Sequence, residues 1–387
     1  MLALGPRFFI LIGFLLRLGI AIWNGFYGPS IGAELDALSF HLEAAVYAGN
    51  PSFDGFQIGW IYSNFLGLFY YATTPSLFIG SLLSCVAWLF SAFILGSCLR
   101  ILRVTRRMRV NAILVYAFLP SSVFLTAVTL REPYQLLFVN LAIYGYLQVY
   151  LNRATKHWIT LIVAILGASS LHGLFLAWGG FLVLGGLFVK ILSRSKSRSW
   201  IEIARFVFLV GTLCWCAVLI SGNIGYDFDG GLLRAIGRFR GNFAGIEART
   251  LYASSFGNYE QSDLLLSLPV IYFQYLFEPF IWRISSIGDL VQFLENILRG
   301  WLIWRAWRAL HAGQIDSRRF VSFIFILYLA LEIMWSLGTL NWGTAVRHHV
   351  PAMGLLLLAA YARPVRKLNF RWRYQANRSI NMHAPGV

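Results

Sequence analysis

Long apolar runs separated by short clusters of arginine and lysine set the rhythm of this chain. The runs fall at 8–25, 76–100, 110–128, 134–151, 157–171, 173–192, 203–221, 286–305, 319–337 and 348–362. Each approaches or exceeds the roughly 18 residues that let a helix cross the hydrocarbon core of a bilayer. About ten transmembrane helices are therefore expected. Two further apolar stretches, 57–74 and 264–282, are rich in aromatics and broken by Gly or Pro. They are expected to be re-entrant or interfacial, because irregular backbone at membrane depth is tolerated where it lines a protein cavity. Between the first run and these, "IGAELDALSFHLEAAVYAGN" (31–50) spaces Leu35, Leu38, Leu42 and Val46 as a helix lying in the interface would. Short segments of alternating polarity are missing, so no outer-membrane barrel is indicated. The fold class expected is an all-α integral membrane protein without internal repeats. Residues 1–370 read as one membrane domain, and 371–387 as a basic, disordered tail.

Composition supports this reading. Hydrophobic residues make up 58% of the chain and charged residues 12%, against about 25% charged in soluble domains. The mean hydropathy is +0.66. A net charge of +16 raises the question of nucleic acid. However, the basic residues sit in short loops, as the positive-inside bias requires, and no RNP, zinc-finger or helix-turn-helix pattern occurs. No nucleic-acid partner is expected. Arg7 and the clusters at 100–109, 153–156, 190–205, 305–319 and 363–378 hold most of the 32 Lys and Arg residues. Of the 16 acids they hold only Glu202 and Asp316. Placing those clusters inside gives ten spans with both termini cytoplasmic, provided that 57–74 and 264–282 do not cross. Twelve full spans would invert the loops between those two segments. The run 8–25 is preceded by a single basic residue, Arg7, and is followed by no close small-residue cleavage site, so an uncleaved first span is expected. Cys85, Cys98, Cys214 and Cys216 all lie inside apolar runs. They read as small buried side chains, with neither a disulfide framework nor a metal site.

The acids left over gather on the other side, with the polar corners between spans. In "AELDALSFHLEAA", Asp36 suits either an N-cap or a general base that takes a proton from an acceptor hydroxyl. Glu34 is the alternative base, and His41 belongs to the same segment. Arg131 and Glu132 form either a helix-corner ion pair or a phosphate contact with its orienting acid, since Arg offers two-pronged hydrogen bonding to phosphate. The loop 222–263 carries Arg234, Arg238, Arg240 and Arg249. They suit anionic lipid head groups or capture of a lipid-linked pyrophosphate leaving group. Arg347, His348 and His349 stand before the last run, with Pro351 expected in its first turn. Arg347 suits a phosphate clamp and His348 a proton donor to the leaving oxygen; a solvated polar corner is the plainer alternative. The two adjacent histidines point apart and do not suit a shared metal. His172 reads as a packing histidine. Arg17, Glu295, Arg299 and Glu332 are expected to pair internally or to reach the interface, with Glu295 and Arg299 at i,i+4. "YDFDGG" opens like a calcium loop, but the remaining ligands do not follow. A divalent cation, Mg or Mn, is compatible with these acids, yet no ligand set is defined. Trp60, Tyr62, Tyr70 and Tyr71 suit either sugar stacking or the interfacial aromatic belt.

Four short motifs in order resemble the multi-spanning GT-C glycosyltransferases, which use polyprenyl-phosphate-linked sugars. They are "DALSFH" (36–41) after the first span, Pro120–Ser121 with Arg131–Glu132, "EPFIW" (278–282) after the long outer loop, and "RHHVP" (347–351) opening the final span. The resemblance implies that Asp36 is the catalytic carboxylate, Glu132 a second functional acid and Arg347 a phosphate contact. Glu34–Leu35–Asp36 is not the adjacent acidic pair of the protein mannosyltransferases, which leaves metal dependence and donor class open. No large soluble domain is expected after the last span. The set is also similar to bacterial polysaccharide polymerases and ligases, which use outer-face arginines and need no metal.

The expectation is a membrane glycosyltransferase or glycan polymerase in the plasma (inner) membrane, acting on its outer face. Its partners would be a lipid-linked sugar donor, a glycan or lipid acceptor, membrane lipids and other proteins of polysaccharide biosynthesis in the cell envelope. One alternative is a metal-independent polymerase or ligase in which arginines dominate and Asp36 is structural. A lipid-linked glycan transporter is another, against which the gathering of charge at one surface argues. A non-catalytic scaffold is the third.

Overall fold

The computed structural model describes residues 5–28, 34–51, 61–152, 154–194, 249–252, 261–311 and 315–362. Their regular structure is helical, apart from one isolated antiparallel bridge between Leu251 and Asn341. The expected span 203–221 and the tail 371–387 lie outside the described residues.

Helix α1 (Pro6–Phe26) opens on Pro6, whose missing N–H costs nothing in a first turn. Helices α2 (Glu34–Gly49) and α3 (Ile61–Ala72) pack side by side. Helix α4 (Leu77–Ile101) is capped by Ser76, whose hydroxyl accepts the Phe78 N–H at 3.2 Å. The run 110–128, expected as one helix, is two: α5 (Arg106–Phe118) and α6 (Pro120–Leu125). Pro120 drives Leu119 out of the helical region (φ −60°, ψ 118°) and offers no N–H to the preceding turn. Then come α7 (Glu132–Tyr150), α8 (His157–Leu171) and α9 (Leu174–Arg194). The segment 264–282 becomes α10 (Gln261–Phe277), a cis Glu278–Pro279 bond and a 3-10 turn at Ile281–Arg283. Helices α11 (Ile287–His311), α12 (Ile315–Gly338) and α13 (Trp342–Tyr361) complete the described chain.

Helix α13 is the centre of the bundle and packs on α7, α11 and α12. Nearly every side chain from His349 to Tyr361 is buried. It approaches α7 so closely that a Cβ at Gly354 would collide with the Asn140 amide. That amide in turn donates to Ser91 Oγ (2.8 Å) and Tyr116 OH (3.0 Å). The helix also starts earlier than its apolar run, because the Asn341 side chain accepts the Thr344 N–H at 2.7 Å and caps it there. Pro351 therefore lies inside the helix and not in its first turn as expected. It removes the bond to the Arg347 carbonyl four residues back.

Helix ends alternate between two ends of the bundle. The last turn of α1 packs on the first turn of α4, through Asn24 with Ser81 (2.7 Å) and Gly25 with Phe78. Helices α2 and α3 therefore depart from and return to one end. At the opposite end the start of α1 meets the end of α4 and the start of α5, and Arg305 of α11 reaches the Ala360 carbonyl of α13 (2.8 Å).

Three described helical stretches are long and apolar enough to cross a membrane: Pro6–Phe26, Leu77–Ile101 and Phe320–Gly338. Exposed apolar side chains coat the outside of the bundle, among them Leu11, Leu15 and Trp23 on α1, Ile162 and Leu166 on α8, and Ile297, Trp301 and Trp304 on α11. Polar and charged groups such as Arg17, Glu132, Asn140, Glu295 and Glu332 point inward. That inversion of the soluble pattern is what lipid solvation selects. On α2 the predicted apolar stripe does face outward, at Leu35, Leu42 and Val46, while Ala37 and Ala44 pack into the bundle.

Candidate functional site

Three helix starts converge at the end of the bundle where α1 finishes. Helix α2 brings Asp36 in its first turn, α7 brings Glu132 as its first residue with Arg131 just before it at the N-cap, and α13 brings Arg347 from its second turn. The Arg347 guanidinium bridges two carboxylates. Its Nε and Nη2 donate to Glu132 Oε1 at 3.0 and 2.6 Å, and its Nη1 donates to Asp36 Oδ2. Residues 36, 132 and 347 thus meet across most of the chain length. Asp36 lies inside α2, whose first residue is Glu34, so it pairs across helices and does not serve as the helix cap.

The members differ in what surrounds them. The Asp36 side chain is 54% exposed, whereas Glu132 is 3% and Arg347 14% exposed. Burial opposes the charge on Glu132, but the Arg347 and Arg131 guanidiniums outweigh it and hold the carboxyl below its ordinary range. Burial likewise opposes the charge on Arg347, and Glu132 and Asp36 together push it above its ordinary value. Glu132 Oε2 and Arg131 Nε are buried with no hydrogen-bond partner. Arg131 makes a single long bond, Nη1 to the Leu171 carbonyl at 3.4 Å, and lies 5.9 Å from the Phe40 ring centre. Unpaired donors beside a half-open carboxylate can receive an anionic group.

A histidine–tryptophan stack backs this group. His348 lies on the Trp335 ring at 4.0 Å, with Nδ1 2.7 Å from the Thr339 hydroxyl. His172 packs on the same indole at 4.6 Å. Burial, reinforced by Arg131 and opposed by Glu132, pushes His172 down to about 3, so it stays neutral at physiological pH. His349 faces away, as adjacent helical residues must. Its Nδ1 is 2.6 Å from Glu332 Oε2.

Other residues singled out in the sequence fall elsewhere. Arg249 joins Asp289 at the start of α11, at 2.5 and 3.3 Å, and donates to Ser285 Oγ at 2.6 Å. It acts with Arg283, which donates to Glu278 (2.6 Å) and the Leu251 carbonyl (2.7 Å) and lies 4.4 Å from the Trp342 ring centre. The Trp342 indole donates to Asp289 at 3.2 Å. This network pins 249–252 to the start of α13, the helix that carries Arg347. His41 pairs with the Tyr70 hydroxyl (2.9 Å), away from Asp36. Glu34 is the first residue of α2, and its side chain lies outside the described residues, as do Arg234, Arg238, Arg240 and Trp60. Tyr62 and Tyr70 are 2% and 1% exposed and pack within the bundle, which removes them as stacking platforms; Tyr71 is exposed. Glu295 accepts the Ser121 N–H at 2.7 Å while Arg299 donates to the Leu276 carbonyl and Asn296, so each is held by a neighbouring helix or turn. Arg283 and Asp289 were not singled out. Their signal was there, since Arg283 is one of few basic residues on the acid-rich side.

Among the described residues, no group of three or more His, Cys, Asp and Glu is placed to hold a metal. Asp36 and Glu132 already share the Arg347 guanidinium. No family model, curated protein or solved structure matches this chain.

Proposed function

We propose that this protein is a multi-pass membrane glycosyltransferase or glycan polymerase of the GT-C kind. It takes sugar from a polyprenyl-phosphate or pyrophosphate donor at the outer face of the plasma membrane. The observation that carries the reading is the meeting of Asp36, Arg131, Glu132 and Arg347 at one end of the bundle. The charge bias along the sequence supports placing that end outside, in a scheme of ten spans with both termini cytoplasmic. The return of α2 and α3 to the end they left, and the stop of α10 at the cis-proline turn, support two elements that do not cross.

In this scheme Arg131 receives the donor phosphate with its unpaired donors. Arg347 adds positive charge as the phosphate leaves; preorganised charge aimed at a developing anion is usually the largest catalytic contribution. Glu132 anchors Arg347 from below. Asp36, the exposed member, takes the proton of the acceptor hydroxyl. A second reading is favoured by the Asp36–Arg347 contact itself: Asp36 serves only to hold Arg347, and the arginines alone drive transfer.

Purified protein in detergent, given labelled polyprenyl-linked sugars and acceptor glycan, tests both. Glycan lengthening without a sealed vesicle is expected, and its absence across the donor classes would remove the proposal. Asp36→Asn abolishes transfer under the first reading. Full transfer by Asp36→Asn, with loss in Arg131→Ala, establishes the second.

A further inference from the structure

At the end opposite the charged quartet, a cleft of about 540 Å³ opens between α1, α4 and α5. Four arginines line it: Arg7 from α1, Arg100 from α4, and Arg106 and Arg109 from α5. Ile10 and Phe93 form part of its apolar wall, and no acidic side chain is among the described residues that line it. A positive-inside bias accounts for arginines at this end of the chain. It does not account for four of them turned onto one concave space.

The local backbone adds to the field. Helices α1 and α5 both begin at the cleft, and neither has an acidic residue in its first turn or a side-chain cap on its N–H groups. Helix starts carry partial positive charge. Arg100, in the last turn of α4, is held through Ser97 Oγ at 2.9 Å, and Ser97 also lines the cleft. Arg109 Nε is buried without a partner, an unmet donor in a wall of like charge.

We infer that this cleft binds the phosphate head group of an anionic membrane lipid. Its volume lies in the ordinary range for small-molecule sites, about 300–1,000 Å³. Basic pockets between helices on the cytoplasmic side suit such head groups. What separates a lipid from a free phosphate is the surface leading out of the cleft. Phe8 and Leu11 on α1 and Phe90 and Phe93 on α4 are exposed. Each pair is spaced i,i+3 and shares one side of its helix, which gives acyl chains an apolar track beside the head group.

The test is native mass spectrometry of the full chain released from vesicles of phosphatidylcholine and phosphatidylglycerol in equal proportion. The wild type is expected to retain phosphatidylglycerol selectively. Arg7→Gln with Arg109→Gln removes two charges from the cleft and is expected to weaken retention about thirtyfold. Arg103→Gln with Arg107→Gln removes the same charge from positions that do not line the cleft, where mobile ions screen a head group that no concave wall encloses, and is expected to change retention by less than about threefold. Equal losses in the two double variants would reduce the effect to general attraction and overturn the inference. So would a wild type that retains both lipids equally, a result independent of how any variant folds. Inorganic phosphate that binds as tightly as the lipid would overturn the acyl-chain component and assign the cleft to a soluble ligand.

Discussion

Replacing Arg347 with Met removes the cation shared by Asp36 and Glu132 and keeps most of the aliphatic stem. The two halves of the bridge should respond very differently. Glu132 is almost fully enclosed and accepts two bonds from Arg347. Removing one partner of a buried pair costs about 3–5 kcal/mol, because the remaining charge is left in a poor solvent. Arg131 softens that loss without replacing the paired geometry. The Asp36 side is half open to solvent, and exposed pairs contribute about 0–1 kcal/mol. A double-mutant cycle of Arg347→Met with Glu132→Gln should therefore show coupling of about 2–4 kcal/mol, and one with Asp36→Asn less than about 1 kcal/mol. Tryptophan fluorescence during denaturant unfolding in detergent measures both. Acidification gives a second check. In the wild type the Glu132 carboxyl is held below its ordinary range, so its contribution is full above the unfolded value of about 4.3 and is lost as pH falls through the folded value. Without Arg347, burial favours the protonated acid, which is increasingly available as pH falls. The stability gap between wild type and Arg347→Met should then narrow on acidification. Coupling of Arg347 to Asp36 equal to or above its coupling to Glu132, or a gap that widens in acid, would refute this reasoning.

Arg17 donates to Thr126 Oγ1 (2.6 Å), the Ala117 carbonyl (2.8 Å) and Ser122 Oγ (3.2 Å), and its guanidinium lies 3.6 Å from the Trp88 ring centre. Arg17→Leu should lower stability by about 3 kcal/mol in the same unfolding assay, and Lys should recover less than half, since one ammonium cannot follow a planar fork. Gly354→Ala drives a methyl into Asn140 and should cost about 1–3 kcal/mol, seen as a lower unfolding midpoint. Leu35→Cys and Arg107→Cys, both at exposed positions and made in a cysteine-free background, should label oppositely in intact cells with a membrane-impermeant maleimide. Leu35→Cys should react at once and Arg107→Cys only after lysis; labelling of both from outside would break the assigned orientation.

Among the described residues, hydropathy placed most helices but not their beginnings, and it missed the break at Pro120. A bilayer-spanning stretch ends where lipid ends, whereas a helix ends where its backbone groups find other partners. Hence α13 extends back to Trp342 under the Asn341 cap, and the arginine and histidines read as lying before a span sit inside a helix. Asp36, Arg131, Glu132 and Arg347 were legible as candidates because each is a charge at the edge of an apolar run. That they touch was not legible, since contact depends on how α2, α7 and α13 pack. For the same reason Arg249 looked like a companion of Arg234, Arg238 and Arg240 but pairs with Asp289. Tyr62 and Tyr70 looked available, yet they are covered. Composition reports that a residue is aromatic or charged; the neighbour that uses it comes from helices distant in sequence.

Sorting the arginines by partner separates the two ends of the bundle more sharply than counting them does. At the quartet end, Arg249, Arg283 and Arg347 each hold a carboxylate. Among the described residues these three charges are matched locally, so they do not contradict the positive-inside bias. Arg131 is the departure: beyond its neighbour Glu132 it has one long carbonyl contact and an unpaired buried Nε. A guanidinium left underused among well-matched ones is where an anionic ligand gains most. At the opposite end, four arginines share a cleft whose described lining contains no acid, so positive charge gathers there. The two ends thus invite anions in different ways, one through a single underused donor inside a neutral network, the other through collective excess charge. Salt should separate them, because screening weakens a diffuse field in an open cleft far more than a buried, directional contact. Phosphate-ligand binding that depends on Arg131 should therefore survive raised ionic strength at which lipid retention through Arg7 and Arg109 is lost.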